Sequence, residues 1–321
     1  MLHPSLVLSI TLLAGSALQA QAPDQAPTAT TPGGYVRPEP PGRLIDVGDG
    51  RRLHLRSMGE SKGPTVVFEA GLSQYAANTT FSIVQATLAP HARVVTYDRA
   101  GMGWSDPAPE GWTMDGMATD LHELLRAAGE PGPYVLVAHS FGGLVARNFI
   151  RLYPGEVVGL VLLDATSDEN FPELLAARTT TVRELDAAIA SGTPGVPVIG
   201  MPIGTAPEVM MAFTPECLRG VKVEFETLDR LPAERKRSGG FGDLGDLPLI
   251  VVRRGKSAQP PGADDRRHQL VQENLAGLST NSALIVAEKS GHTIPLDEPA
   301  VVADAVRRML DALRTGARLT D

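Results

Sequence analysis

Residues Tyr134–Gly143 read YVLVAHSFGG and set one serine, Ser140, where an apolar run meets a small-residue turn and then a helix-forming segment. The arrangement follows G-x-S-x-G with Ala138 in place of the first glycine. A serine at a tight strand-to-helix turn is held in a strained backbone conformation with its hydroxyl exposed. Small neighbours at Ala138 and Gly142 let the strand and the helix pass close together. The helix that follows points its first amides at any negative charge developing near the hydroxyl. The chemistry this permits is attack on an acyl carbonyl. The alternative is a serine that only caps a helix after a buried strand, and the strand–turn–helix context favours the nucleophile. His139 adjoins Ser140, but adjacent side chains at a strand end point in opposite directions, so it is read as a packing residue.

The elements that must hold this turn follow from periodicity. Leu44–Val47 and Arg52–Arg56 flank Gly48-Asp49-Gly50, a hairpin signal. Thr65–Glu69, Arg93–Tyr97, Tyr134–Ala138, Leu160–Leu163, Leu249–Val252 and Leu284–Ala287 are short, nearly continuous apolar runs. Such runs fit parallel strands buried on both faces. Helical spacing falls between them, at Met114–Ala128, Leu144–Tyr153 and Val301–Leu313. The alternation predicts an α/β fold with a mostly parallel central sheet flanked by helices. The interval 166–246 breaks the alternation with short helical pieces and turn-rich stretches. It is read as a cap inserted between the sixth and seventh core strands, over the sheet edge where open α/β sheets bind ligands. Its Leu174, Leu175, Val209, Met210, Met211 and Phe213 suit an apolar pocket or plain packing.

Bulk properties remove several function classes. The chain has 321 residues, 43% of them hydrophobic, and a formal net charge of −8. No basic stripe or RNA-binding signature is present, so nucleic acid is not an expected partner. The one cysteine, Cys217, cannot form an internal disulfide and is read as a small buried hydrophobe. Leu6–Leu18 is an apolar run of signal-peptide length, too short for a comfortable membrane span. Residues 1–22 are therefore read as a signal peptide, which implies export to the periplasm or medium without stable membrane insertion. Residues 23–42 are read as a flexible leader rich in Pro, Ala and Thr, 43–314 as the folded domain and 315–321 as a C-terminal tail. Nothing in the sequence specifies an oligomeric state.

Five blocks, VVFEAGLS, VVTYDRAGMGWSD, VLVAHSFGGLVAR, GLVLLDAT and SGHTIPLDEP, occur in the order found in the α/β-hydrolase superfamily. Over about residues 43 to 314 the chain resembles the serine hydrolase branch of that superfamily. The resemblance implies that His292, on the loop after the last predicted strand, is the general base. It also implies an acid on one of two loops. The usual place, after Leu249–Val252, holds Arg253-Arg254-Gly255-Lys256-Ser257 and no carboxylate. The other place, the end of the preceding strand, holds Asp164, which is the assignment made here. Asp264 and Asp265 are the alternatives. The oxyanion would be held by the backbone amides of Phe141 and Leu72, the latter in a turn reading Ala70-Gly71-Leu72 where relatives often carry His-Gly. Asp98, Arg99 and Glu69 would brace the loops around the site. The remaining histidines, His54, His91, His122 and His268 among them, are read as structural or surface residues.

The implied reaction is hydrolysis of a small-molecule carboxylic ester through an acyl-enzyme, with no metal or organic cofactor. Amidase, peptidase and lactonase chemistry use the same machinery. The reading of a different class is a non-catalytic binding module on a hydrolase fold.

Overall fold

The computed structural model describes residues 39–60, 63–74, 80–169, 171–191, 214–238, 240, 242–256 and 265–319. The signal-peptide reading, most of the leader, and Val209, Met210, Met211, Phe213 and Asp264 lie outside the described residues. Eight strands form one sheet in the order β1-β2-β4-β3-β5-β6-β7-β8. They are β1 (Arg43–Asp46), β2 (Arg52–Met58), β3 (Thr65–Glu69), β4 (Val94–Tyr97), β5 (Tyr134–His139), β6 (Val157–Leu163), β7 (Leu249–Arg254) and β8 (Ser282–Ala287). β1 and β2 pair antiparallel through the expected hairpin, and β2 runs antiparallel to β4. Every other pairing is parallel.

Strands β3 to β7 each feed two cores, as a pleated strand buried on both faces does. In β5, Tyr134, Leu136 and Ala138 pack on one side with α2 (Met114–Ala128) and α3 (Gly142–Leu152). Val135 and Val137 pack on the other side with α1 (Ser82–Leu88) and the long helix near the C terminus. Between β6 and β7 the described residues form the inserted helices α4 (Phe171–Ser191), α5 (Pro215–Thr227) and α6 (Leu231–Ser238). The sequence predicts short helical pieces here, whereas α4 alone runs 21 residues. Its apolar positions lack the clean stripe that periodicity reads, because it packs on α5 rather than flat on a sheet.

After β7 follow α7 (Arg266–Ala276), α8 (Ile294–Asp297) and α9 (Pro299–Thr315). The terminal stretch read as a tail is docked at Leu319, which is buried and donates its N–H to Asn281 Oδ1 at 2.7 Å. Among the described residues no helix is long and apolar enough to cross a membrane.

Candidate active site

Parallel strands deliver their carboxyl ends to one edge, so residues that follow them become neighbours without any sequence proximity. His139 pairs with Leu163 across β5 and β6, so the next residues, Ser140 and Asp164, lie side by side just beyond the sheet. The Ser140 N–H donates to the Leu163 carbonyl at 3.1 Å, and the Asp164 N–H to the Val252 carbonyl at 2.8 Å. Both residues have positive φ, +52° at Ser140 and +43° at Asp164. A left-handed backbone costs a non-glycine residue about 1–2 kcal/mol, and the flanking buried strands supply that cost. Gly142 explains the small-residue requirement of the turn. A Cβ there would lie 2.6 Å from the Ala70 carbonyl oxygen and 2.7 Å from that of Glu69. The first turn of α3 is thus pressed against the end of β3.

His292 reaches the same edge from the loop after β8. Hydrogen bonds that pin that loop include Gly291 N–H to Asp297 Oδ2 (2.8 Å), Ser290 Oγ–H to Glu298 Oε2 (3.0 Å) and Lys256 N–H to the Ser290 carbonyl (2.9 Å). The imidazole spans the gap between the two strand ends. Its Nδ1–H donates to Asp164 Oδ2 at 2.6 Å, and its Nε2 accepts from the Ser140 hydroxyl at 2.9 Å. The His292 side chain is 47% exposed while that of Asp164 is fully buried. One end of this hydrogen-bonded series therefore meets solvent and the other does not.

Asp164 is heavily partnered. Arg254 donates its backbone N–H to Oδ1 at 3.1 Å and its Nη1–H to Oδ2 at 2.9 Å. His268, on α7, brings Nε2 to 2.8 Å from Oδ1. Burial opposes ionisation of this carboxyl, but His268 and His292 together outweigh it and hold its pKa well below the usual carboxylate range. Asp265, an alternative acid in the sequence reading, faces Arg254 Nη2 at 3.3 Å. The arginine that stands where a carboxylate is usual thus bridges Asp164 and Asp265.

His268 and Arg254 were not singled out as site residues in the sequence. The one signal for Arg254 is its position as the last residue of a buried strand, where an unpaired charge would be costly. His139 takes the expected packing role in a specific form. Its Nε2–H donates to the His292 carbonyl at 2.7 Å, and its Nδ1 lies 2.9 Å from Gln74 Oε1. Burial, reinforced by the nearby His292, lowers its pKa to about 3, so the ring stays neutral.

The turn after β3 carries Leu72, half-buried, and Phe141 precedes the first turn of α3. Among the described residues no protein acceptor engages the backbone N–H of either. Arg99, in the loop after β4, donates Nη1–H to the Ala70 carbonyl and Nη2–H to the Gly71 carbonyl, each at 2.6 Å. It also donates to Glu69 Oε1 at 2.6 Å. The bracing expected of Arg99 and Glu69 is directed at the turn that holds Leu72. Among the described residues no group of three His, Cys, Asp or Glu side chains is arranged to hold a metal ion.

A family model described as the alpha/beta hydrolase family matches residues 66–305. The Bacillus subtilis (strain 168) protein YqjL is 27% identical over 260 residues, covering 80% of this chain and 88% of its own length. Among solved structures, a thermophilic esterase from Thermogutta terrifontis superposes with a TM-score of 0.57 at 23% identity, covering 84% of this chain and 97% of that one. An enol-lactonase from Burkholderia xenovorans LB400 superposes with a TM-score of 0.59 at 19% identity, covering 83% and 99%. At such identities the likeness to the solved structures is one of fold.

Proposed function

Because the chain belongs to the alpha/beta hydrolase family, we propose that it is a serine hydrolase that cleaves carboxylic esters of small molecules through an acyl-enzyme on Ser140. The observation that carries the reading is the hydrogen-bonded series Ser140 Oγ, His292 Nε2, His292 Nδ1, Asp164 Oδ2, with spacings of 2.9 and 2.6 Å.

In this reading Ser140 Oγ attacks the carbonyl carbon as its proton passes to His292 Nε2. The carbonyl π electrons move onto oxygen, and the Phe141 and Leu72 N–H groups stabilise that oxyanion. Asp164, kept ionised by its partners, stabilises the imidazolium and fixes the tautomer. His292 then gives its proton to the leaving alkoxide, and an alcohol departs. A water molecule, deprotonated by the same nitrogen, attacks the acyl-enzyme and releases the acid. Amides and lactones present the same carbonyl, so they rank behind esters as substrates of the same machinery. The inserted segment 166–246 is proposed as the cap that shapes the acyl or alcohol pocket. Residues 1–22 are proposed to direct export, a reading that identification of the mature N terminus tests.

The decisive experiment is labelling with a serine-directed fluorophosphonate, followed by peptide mapping. The expected result is one label at Ser140, absent in His292→Ala, with turnover of p-nitrophenyl esters that disappears in Ser140→Ala. Folded wild-type protein that takes no label would overturn the reading and favour a non-catalytic binding module.

A further inference from the structure

We infer that Glu224, carried on the inserted helix α5, is a positioning residue that fixes the turn holding Leu72, so that the insertion and the second oxyanion donor are set in place together. The inference rests on the reading of Leu72 above and extends it to a residue 152 positions away in sequence.

The carboxylate of Glu224 is fully buried, as is Glu69, and Arg99 between them is 3% exposed. Every carboxylate oxygen in this group has a donor. Arg99 Nε–H donates to Glu224 Oε1 at 2.7 Å, and the Ser73 N–H donates to Glu224 Oε2 at 2.7 Å. Arg99 Nη1 serves Glu69 Oε1, and the Tyr97 hydroxyl serves Glu69 Oε2. The same guanidinium holds the Ala70 and Gly71 carbonyls. Residues 70, 71 and 73 of the turn are therefore fixed by one buried charged group, and Leu72 lies between the fixed points.

Two further observations show that this is more than adventitious contact. Ser73 has φ +61°, a conformation a serine keeps only where its surroundings impose it. The acceptor for its N–H is Glu224, so the strained residue beside Leu72 depends on the insertion. Independently, α5 is seated against the Arg99 loop by backbone contact. A Cβ built on Gly220, one helical turn before Glu224, would collide with the Gly101 carbonyl oxygen, and one on Gly101 would lie 2.8 Å from the Gly220 Cα. The helix axis therefore cannot drift outward without withdrawing the carboxylate, nor inward at all.

Glu224→Gln tests this with little change in shape, because an amide cannot accept from both donors and sets an NH2 against one of them. Phe225→Leu, a buried neighbour on the same helix, loosens packing without touching the carboxylate. Active sites are titrated to completion with the fluorophosphonate, and kcat is expressed per labelled serine. Glu224→Gln is expected to lower that kcat at least tenfold with KM within threefold, whereas Phe225→Leu lowers Tm and leaves kcat per serine within twofold of wild type. Amide hydrogen exchange at Ser73, whose N–H is held by Glu224, read by mass spectrometry, is expected to quicken at least tenfold in Glu224→Gln only. Equal behaviour of the two variants in both measurements would overturn the inference. Failure of the wild type to label would instead overturn the proposed reaction, and the exchange measurement would still decide the role of Glu224.

Discussion

Asp164 and Glu69 are carboxylates at the same sheet edge, 2% and 0% exposed, yet burial loses at one and wins at the other. At Asp164 the desolvation that favours the neutral acid is outweighed by His268 and His292, so the carboxyl stays charged. At Glu69 desolvation prevails over Arg99 and the Tyr97 hydroxyl, helped by the like charge of Glu224, and the pKa rises. The difference is one of stoichiometry. One carboxylate faces two imidazoles and a guanidinium, whereas two carboxylates share a single guanidinium. The first arrangement keeps a charge ready to act on an imidazole that reaches solvent. The second holds backbone in place, and its net charge is incidental to that task.

Four measurements break or sharpen this contrast. Asp164→Asn removes the charge where it is needed and is expected to lower kcat about 10³- to 10⁴-fold, as loss of an acid that orients a base does. Asp265→Asn, in the same assay, should stay within threefold. A reversal of the two would transfer the acid role to Asp265. Arg254→Met removes a charge-assisted hydrogen bond worth about 1.5–3 kcal/mol, which predicts a tenfold to hundredfold loss in kcat. Unchanged activity would leave the two histidines as sufficient partners of Asp164.

His139 extends the contrast to a buried base that has no carboxylate partner. Its folded pKa, about 3, lies below the unfolded value near 6.5. The unfolded chain therefore takes the proton first, and stability is full above pH 6.5 and lost as pH falls toward 3. The expected loss from this group between pH 7 and pH 5 is about 2 kcal/mol. Denaturant midpoints across that range should flatten in His139→Gln, and an undiminished slope would refute the assignment. The smallest effect is expected for Glu69→Gln. It leaves Arg99 and Glu224 as a one-to-one pair, so kcat should hold within threefold. A loss as large as that of Asp164→Asn would erase the distinction between the two carboxylates.

The turn at Ser140 was legible because its parts are contiguous: strand, turn and helix follow one another within ten residues, and each has its own local signal. Asp164 and His292 were legible only as strand-following residues of a resembling family, since the register that makes them neighbours is a property of the sheet. Glu224 depends on an inserted helix outside the alternating pattern, and His268 sits on the crossover helix between β7 and β8, whose approach to Asp164 is set only by the folded chain. For Glu224 a faint signal existed. It shares a helix face with Cys217 and Val221, so a charge falls within an apolar stripe, which demands a buried partner. What the pattern cannot supply is the partner, because Arg99 lies 125 residues away and reaches it only in the folded chain. The length of α4 is not written in the periodicity, because helix-on-helix packing leaves a less regular stripe than packing on a sheet.

The meeting of Gly101 and Gly220 has a consequence for how this protein can vary over generations. Neither position accepts even a methyl group while the other chain segment stays where it is, and the acid one turn along α5 has its own fixed acceptor duties. The insertion is therefore not an accessory that recombination can exchange freely between relatives. A transplanted insertion would need to bring both a glycine and an acid at that spacing, or arrive together with a redesigned loop after β4. If the insertion shapes the pocket as proposed, α4 and α6 are freer places than α5 to vary it, since among the described residues neither bonds to residues 70–73 as Glu224 does to Ser73.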